Sequence, residues 1–325
     1  MDEIVKRLEA AQRLLLVTHA RPDGDALGSM AALALSAGSA GRSVRMCIPD
    51  IVPARYEFLF EADRPVGVDQ FEALADEADA VVVVDTCAFS QLDGLEAHLR
   101  GCRDKVCVID HHATYDDFAA VRWTDTSAAS AGVMVGELIE HLGWPIGRAA
   151  AEALTIATVT DTGWLVFANT DSRCLCAVAR WLDKGVRTDE LYRRLYQSDR
   201  PERLRLMTRL LESLELHCNS RLAMMTLREK DFTETGARSD ETDNLVNEAL
   251  RIGCVEEAIL LVENGGQIRV SLRSRNAIDV AAIAGKFGGG GHVRAAGFRS
   301  HESIDSLKQR LIATCKEAMA QAGIE

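Results

Sequence analysis

Three short runs along this chain are apolar without interruption and then stop at polar residues. Leu14–Val17 gives way to Thr18, His19, Ala20, Arg21, Pro22, Asp23, Gly24 and Asp25; Val81–Val84 gives way to Asp85; and Val106–Ile109 gives way to Asp110, His111 and His112. A strand with one face in water alternates apolar and polar residues, whereas an unbroken β-branched run predicts a strand covered on both faces, as in a parallel sheet. The polar residues then fall where each strand leaves the sheet, which is where open α/β sheets place their ligands. Several carboxylates and imidazoles gathered at one edge repel one another and lose hydration, and a divalent cation relieves both effects.

Between the strands the pattern turns helical. Residues 2–13 read as a short amphipathic helix, Ala26–Ala37 as a helix packed on the sheet and ending near Gly38 and Gly41, and Ser43–Ile48 as a strand. The acidic stretch 69–79 covers a helix, Ser127–Ser130 starts another that runs to His141, and Arg148–Val159 is a further helix with Thr160–Gly163 at its end. Alternating strand and helix predicts a doubly wound parallel α/β sheet for residues 1–186. Residues 187–216 are charged and strand-poor, a helical linker broken near Pro201. Residues 217–325 predict a second, smaller α/β domain, with strands at Leu222–Leu227, Ala258–Val262 and Ile268–Leu272 and helices at Asp240–Arg251 and Ser303–Ala322.

The 325 residues suffice for two domains, and 47% hydrophobic with 26% charged residues is a globular composition. No apolar run approaches the ~20 residues of a membrane helix, and the amino terminus lacks the form of a signal peptide, so the expected setting is the cytoplasm. Nine cysteines without paired spacing fit reduced thiols; Cys102, Cys107, Cys174 and Cys176 are expected to serve packing. A net charge of −12 and 5% aromatics argue against coating long nucleic acid. Locally the balance reverses: Gln267–Ser300 carries Arg269, Arg273, Arg275, Lys286, Arg294 and Arg299 against Asp279 alone, which suggests an anion site.

Each candidate motif also has an ordinary structural explanation. His19, Asp23 and Asp25 sit on a turn that Pro22 and Gly24 can fold so that ligands face one space, but Asp25 could simply cap the next helix. Asp85 could bridge two ions, one oxygen to each, or cap a helix. In the Asp110-His111-His112 triplet one imidazole can ligate while the other meets substrate. Asp161 could be a ligand from outside the strands or a turn residue with Gly163 as a helix C-cap. Gly288–Gly291 and His292 could cradle phosphate oxygens, the glycines through backbone N–H groups, or form a flexible loop. Trp164 and Phe167 could stack a base or belong to the core.

Taken together, Thr18–Ser29, Val81–Thr86, Ile109–His112, Thr160–Phe167, Ser271–Ser274 and Phe287–His292, in this order across nearly the whole chain, resemble the DHH/DHHA1 phosphoesterase family, and most closely its short nanoRNase or oligoribonuclease and pAp phosphatase members. The resemblance implies that the active site lies in a cleft between the two domains. It implies that His19, Asp23, Asp25, Asp85, His111 and Asp161 hold two divalent ions, expected to be Mn²⁺, with Asp85 bridging; carboxylate and imidazole donors suit that ion without excluding Fe²⁺, Co²⁺ or Zn²⁺. Asp110 would orient an adjacent imidazole, and His112 would contact the scissile phosphate or the leaving oxygen. Arg273, Gly289, Gly290, Gly291 and His292 would hold the terminal phosphate or the far nucleotide.

The implied reaction is in-line hydrolysis of dinucleotides to about pentamers of RNA, yielding mononucleotides, with removal of the 3′-phosphate of pAp. Short single-stranded RNA and pAp are the expected partners, with no long duplex, no membrane and a possible homodimer. Two alternatives stay open: a phosphodiesterase for cyclic or linear signalling dinucleotides, and a metal-dependent nucleotide-binding regulator without turnover.

Overall fold

The computed structural model describes residues 1–276 and 278–324, apart from the side chain of His292. The chain divides into two units, Met1–Ser198 and Asp199–Glu325.

In the first unit, β1 (Arg13–Val17), β2 (Ser43–Cys47), β3 (Ala80–Val84), β4 (Val106–Asp110) and β5 (Val121–Thr124) form a five-stranded sheet in the order β2-β1-β3-β4-β5. Every pairing is parallel. Its helices are α1 (Asp2–Ala10), α2 (Gly24–Ser39), α3 (Phe71–Glu77), α4 (Glu96–Gly101), α5 (Ala131–His141), α6 (Arg148–Asp161), α7 (Ser172–Leu182) and α8 (Thr188–Tyr196). The unbroken apolar runs have the cause inferred for them, two covered faces. Leu14 and Leu16 of β1, Val82 and Val84 of β3, and Cys107 and Ile109 of β4 pack with α1, α2, α5, α6, α7 and α8. The alternate residues Leu15, Val17, Val81, Val83, Val106 and Val108 pack with α3 and α4 on the other face. The chain leaves β1 for β2 on one side and passes from β3 to β4 on the other, so the carboxyl ends of β1 and β3 flank the topological switch point.

The second unit comprises α9 (Pro201–Glu212), β6 (Glu215–His217), β7 (Leu222–Leu227), α10 (Glu229–Thr235), β8 (Glu257–Asn264), β9 (Gln267–Ser274), α11 (Val280–Gly285), β10 (Gly290–His292), β11 (Ala295–Ser300) and α12 (Ile304–Gln321). Its six strands lie in the order β10-β11-β9-β8-β7-β6, antiparallel except for β7 with β8. Helices α11 and α12 cover one face, and α9 with the segment 245–251 covers part of the other.

Several local expectations change. The stretch 187–216 holds α8 and α9 and then enters β6, and its two helices divide between the units: Leu191 and Leu195 of α8 are buried in the first core and Leu206 and Leu210 of α9 in the second, with Pro201 opening α9. The helix expected over Asp240–Arg251 is two 3₁₀ segments, Ser239–Thr242 and Leu245–Arg251, parted where Asn244 takes a left-handed φ of 62°. The glycine-rich segment is no open loop from Gly290 onward, since Gly290, Gly291 and His292 pair with Gly297, Ala296 and Ala295 of β11. Cys176 is exposed rather than packed. No helix among the described residues is long and apolar enough to cross a membrane.

Candidate metal centre

The ends of β1, β3 and β4 are stitched together before any side chain of the site is considered. Thr18, just past β1, donates its hydroxyl to the Val84 carbonyl at 2.9 Å, and the Asp85 amide donates to the Ile109 carbonyl at 2.9 Å. Asp85 itself has a left-handed φ of 63°. That region is sterically unfavourable for most L-residues but tolerated by aspartate, and it turns the chain sharply as β3 ends.

All six of the residues expected to hold ions meet here. Ligand-type atoms of His19, Asp23 and Asp85 lie within 4.8 Å of one another, as do those of Asp25, His111 and Asp161, and those of Asp85, His111 and His112. Asp85 links the groups: its Oδ2 is 3.5 Å from His19 Nε2 and its Oδ1 is 3.5 Å from His111 Nε2. His111 Nε2 is also 3.7 Å from Asp25 Oδ2 and 3.8 Å from Asp161 Oδ2.

Both imidazoles are oriented from behind. His19 Nδ1 faces the Ala20 carbonyl at 2.9 Å and His111 Nδ1 faces the Ala128 carbonyl at 3.2 Å. A carbonyl can only accept, so Nδ1 carries a proton, and Nε2, turned toward the carboxylates, either donates a second proton to them or, once that proton is lost, has its lone pair free for a cation. This is the outer hydrogen bond that fixes tautomer and ring angle in histidine metal sites.

The turn works differently from its sequence-based reading. Asp23, not Asp25, caps α2, its Oδ1 accepting from the Asp25 and Ala26 amides at 3.0 and 3.1 Å. Asp25 is buried and serves a distant helix start, accepting from the amides of Ala131 at 2.7 Å and Gly132 at 2.8 Å at the beginning of α5. Gly24 is required for space: a Cβ there would fall 2.4 Å from the Thr160 hydroxyl oxygen. Asp161 is the last residue of α6, followed by Gly163 with a φ of 56°. Asn169, which no sequence signal singled out, holds this end by donating to the Ala129 carbonyl at 2.9 Å and Asp161 Oδ2 at 3.4 Å. Trp164 packs edge-on against Tyr192 and Tyr196, whereas Phe167 is 55% exposed.

The electrostatics fit a cation. Among the described residues Asp85 Oδ1 is buried with no hydrogen-bond partner, a costly state for a carboxylate oxygen unless a positive charge faces it. Burial opposes the ionisation of Asp85, but His111 and His19 outweigh it and hold its pKa below the usual carboxylate range. Burial opposes the charged form of His19 as well, yet Asp85 and then Asp23 push its pKa to about 9. His111 is carried to about 10 by Asp85 and Asp25 against the same opposition. Burial raises Asp25 well above its ordinary value, with repulsion from Asp85 and Asp161 adding to it. Asp161 rises to about 6 through burial, with Asp85 and Asp23 adding to the rise and His111 resisting it. Protons thus gather where positive charge is needed, and a divalent ion would displace them.

Asp110 is fully buried at the end of β4, and its Oδ1 accepts from His112 Nδ1 at 2.7 Å. In the second unit, Arg273 on β9 pairs in register with Ala295, which pairs in turn with His292. Arg273 and His292 therefore share one rung of the sheet, although the His292 side chain lies outside the described residues. Gly289 and Gly291 permit close strand approach, since a Cβ on either would fall within 2.5 Å of a β11 backbone oxygen.

Residues 13–158 match the model of the DHH family, N-terminal domain, and residues 220–321 match that of the DHHA1 domain. The chain belongs to the DHH family and carries a DHHA1 domain in its second unit. A Thermus thermophilus protein named bifunctional oligoribonuclease and PAP phosphatase NrnA is 31% identical, over 99% of this chain and 94% of that protein. A Bacillus subtilis protein of the same name is 27% identical, over 97% and 98%. The crystal structure of an exopolyphosphatase-related protein from Bacteroides fragilis shares the fold, with a TM-score of 0.92 and 24% identity over 97% of this chain and 96% of that one.

Proposed function

We propose that this chain is a metal-dependent phosphoesterase that hydrolyses short oligoribonucleotides to mononucleotides and removes the 3′-phosphate of pAp. The observation that supports this most is the buried Oδ1 of Asp85, which has no hydrogen-bond partner among the described residues and is set among imidazoles and carboxylates. It occurs in a chain similar over nearly its full length to two proteins named for that activity.

In this reading His19, Asp23 and Asp85 would hold one divalent ion and Asp25, His111 and Asp161, with Asp85, a second. The ions, which we take to be Mn²⁺, would supply Lewis acidity toward phosphoryl oxygens and make water a stronger acid. The protein's own part is orientation and proton handling. His112, with Nδ1 engaged by Asp110, has Nε2 as its exchanging atom, and the Asp110 hydrogen bond raises its pKa against the opposing effect of burial. A proton held there can pass to the leaving 3′ oxygen. Arg273, Gly289, Gly290, Gly291 and His292 would hold the terminal phosphate or the far nucleotide, a role supported by the shared rung and the excess of arginine around it. A cytoplasmic setting and a homodimer belong to the same proposal.

The test is a Mn²⁺-dependent time course on 5′-labelled RNAs of two, five and twenty-four nucleotides, with pAp and cyclic dinucleotides in parallel. Rapid loss of the dinucleotide and of the 3′-phosphate of pAp, with slow loss of the long strand, is expected. Loss of a cyclic dinucleotide alone would transfer the activity to signalling nucleotides.

A further inference from the structure

Cys87 lies two residues beyond Asp85 and has no part in the scheme above. Its side chain is buried, and its thiol donates to Asp110 Oδ2 at 2.6 Å, with the Thr114 carbonyl at 3.1 Å. The other Asp110 oxygen, Oδ1, accepts from the backbone amide of His112 at 3.3 Å and from its Nδ1 at 2.7 Å. Asp110 therefore has a donor on each oxygen, the thiol on one and His112 on the other. With no exposed surface it cannot take water in place of either, so losing one donor leaves a desolvated oxygen and frees the carboxylate to rotate.

We propose that Cys87 is a positioning residue: its thiol anchors Asp110 so that the carboxylate fixes the ring angle and tautomer of His112. The inference rests on the role given above to His112 in phosphoester hydrolysis. Cys87 also packs with Phe71, Leu92 and Phe118, so the test must separate donation from packing. Serine keeps a donor but reduces apolar bulk, whereas alanine and valine remove the donor.

Cys87→Ser, Cys87→Ala and Cys87→Val are compared with the wild-type full-length protein in two measurements. The first is kcat and KM for a linear diribonucleotide with Mn²⁺. The second is the imidazole Nδ1–H resonance of His112 in ¹⁵N-histidine-labelled, Mg²⁺-loaded protein, assigned by its loss in His112→Asn. Cys87→Ser is expected to keep kcat and the resonance near wild type. Cys87→Ala and Cys87→Val are expected to lose roughly ten- to a hundredfold in kcat with KM little changed, and to move or broaden the resonance. If Cys87→Val fails to fold, the serine and alanine pair decides. A serine variant as slow as alanine, with the resonance unmoved in both, would make Cys87 a packing residue; wild-type kcat and resonance in Cys87→Ala would remove it from the site. Failure of the wild-type protein to cleave the dinucleotide would instead overturn the functional reading, while the resonance would still decide whether Cys87 orients His112.

Discussion

Gly28 lies so close to Ala153 that a Cβ on the glycine would fall 2.4 Å from the Ala153 carbonyl oxygen and 2.8 Å from the Ala157 amide nitrogen. Helices α2 and α6 thus approach through bare backbone, and Gly132 of α5 meets the Ala157 methyl in the same way, its Cβ position 2.4 Å from that carbon. Asp25 near the start of α2 and Asp161 at the end of α6 are brought together by this contact.

Gly28→Val should push the two helices apart. Overpacking of this kind costs roughly 1–3 kcal/mol, and separation of Asp25 from Asp161 should shrink the rise in melting temperature that Mn²⁺ is expected to produce in the wild type if the proposed site binds it. Thermal denaturation with and without Mn²⁺ measures both, and an unchanged Mn²⁺ shift would show that the helix contact does not set the site.

Asp85→Ala should abolish turnover of a dinucleotide while circular dichroism shows the fold retained. The loss expected from removing the carboxylate that both proposed groups of ligands share is at least on the order of a thousandfold in kcat. Near-normal activity would refute the two-ion reading.

Arg273→Ala and His292→Ala should raise KM for short RNA more than they lower kcat, if, as proposed, both hold the substrate rather than act on the reacting atoms. Kinetics indistinguishable from wild type in both would remove the second unit's rung from the site.

Glu257 gives the second unit a dependence on pH. Its carboxyl is fully buried, Oε2 has no hydrogen-bond partner among the described residues, and burial raises its pKa to about 7 against the Cys315 thiol donating to Oε1 at 3.2 Å. A folded-state pKa above the unfolded value means that the folded protein binds the proton more tightly. The stabilising contribution is therefore complete below the ordinary glutamate range and is lost as pH rises through about 7. Glu257→Gln should flatten this slope, worth on the order of 3 kcal/mol, in urea unfolding followed between pH 5 and 8. An equally steep slope in the variant would place the titrating group elsewhere.

What the linear pattern could determine was whatever depends on a residue's own strand or turn. The runs ending at Val17, Val84 and Ile109 were legible as central strands because both of their faces are covered, and their polar exits marked the site's edge. Strand β5 was missed because Val121–Thr124, beside only β4, is partly exposed and carries Arg122. Strands β10 and β11 were missed because glycine and alanine give little periodic signal.

The tertiary structure alone decided which aspartate caps which helix, that Gly24 answers to Thr160 rather than to a turn, and that Cys87 and Asn169 touch the site. Asp25 meets amides 106 and 107 residues further along the chain. Local periodicity records burial but not the identity of the covering group, since that partner is chosen only when helices distant in sequence pack together.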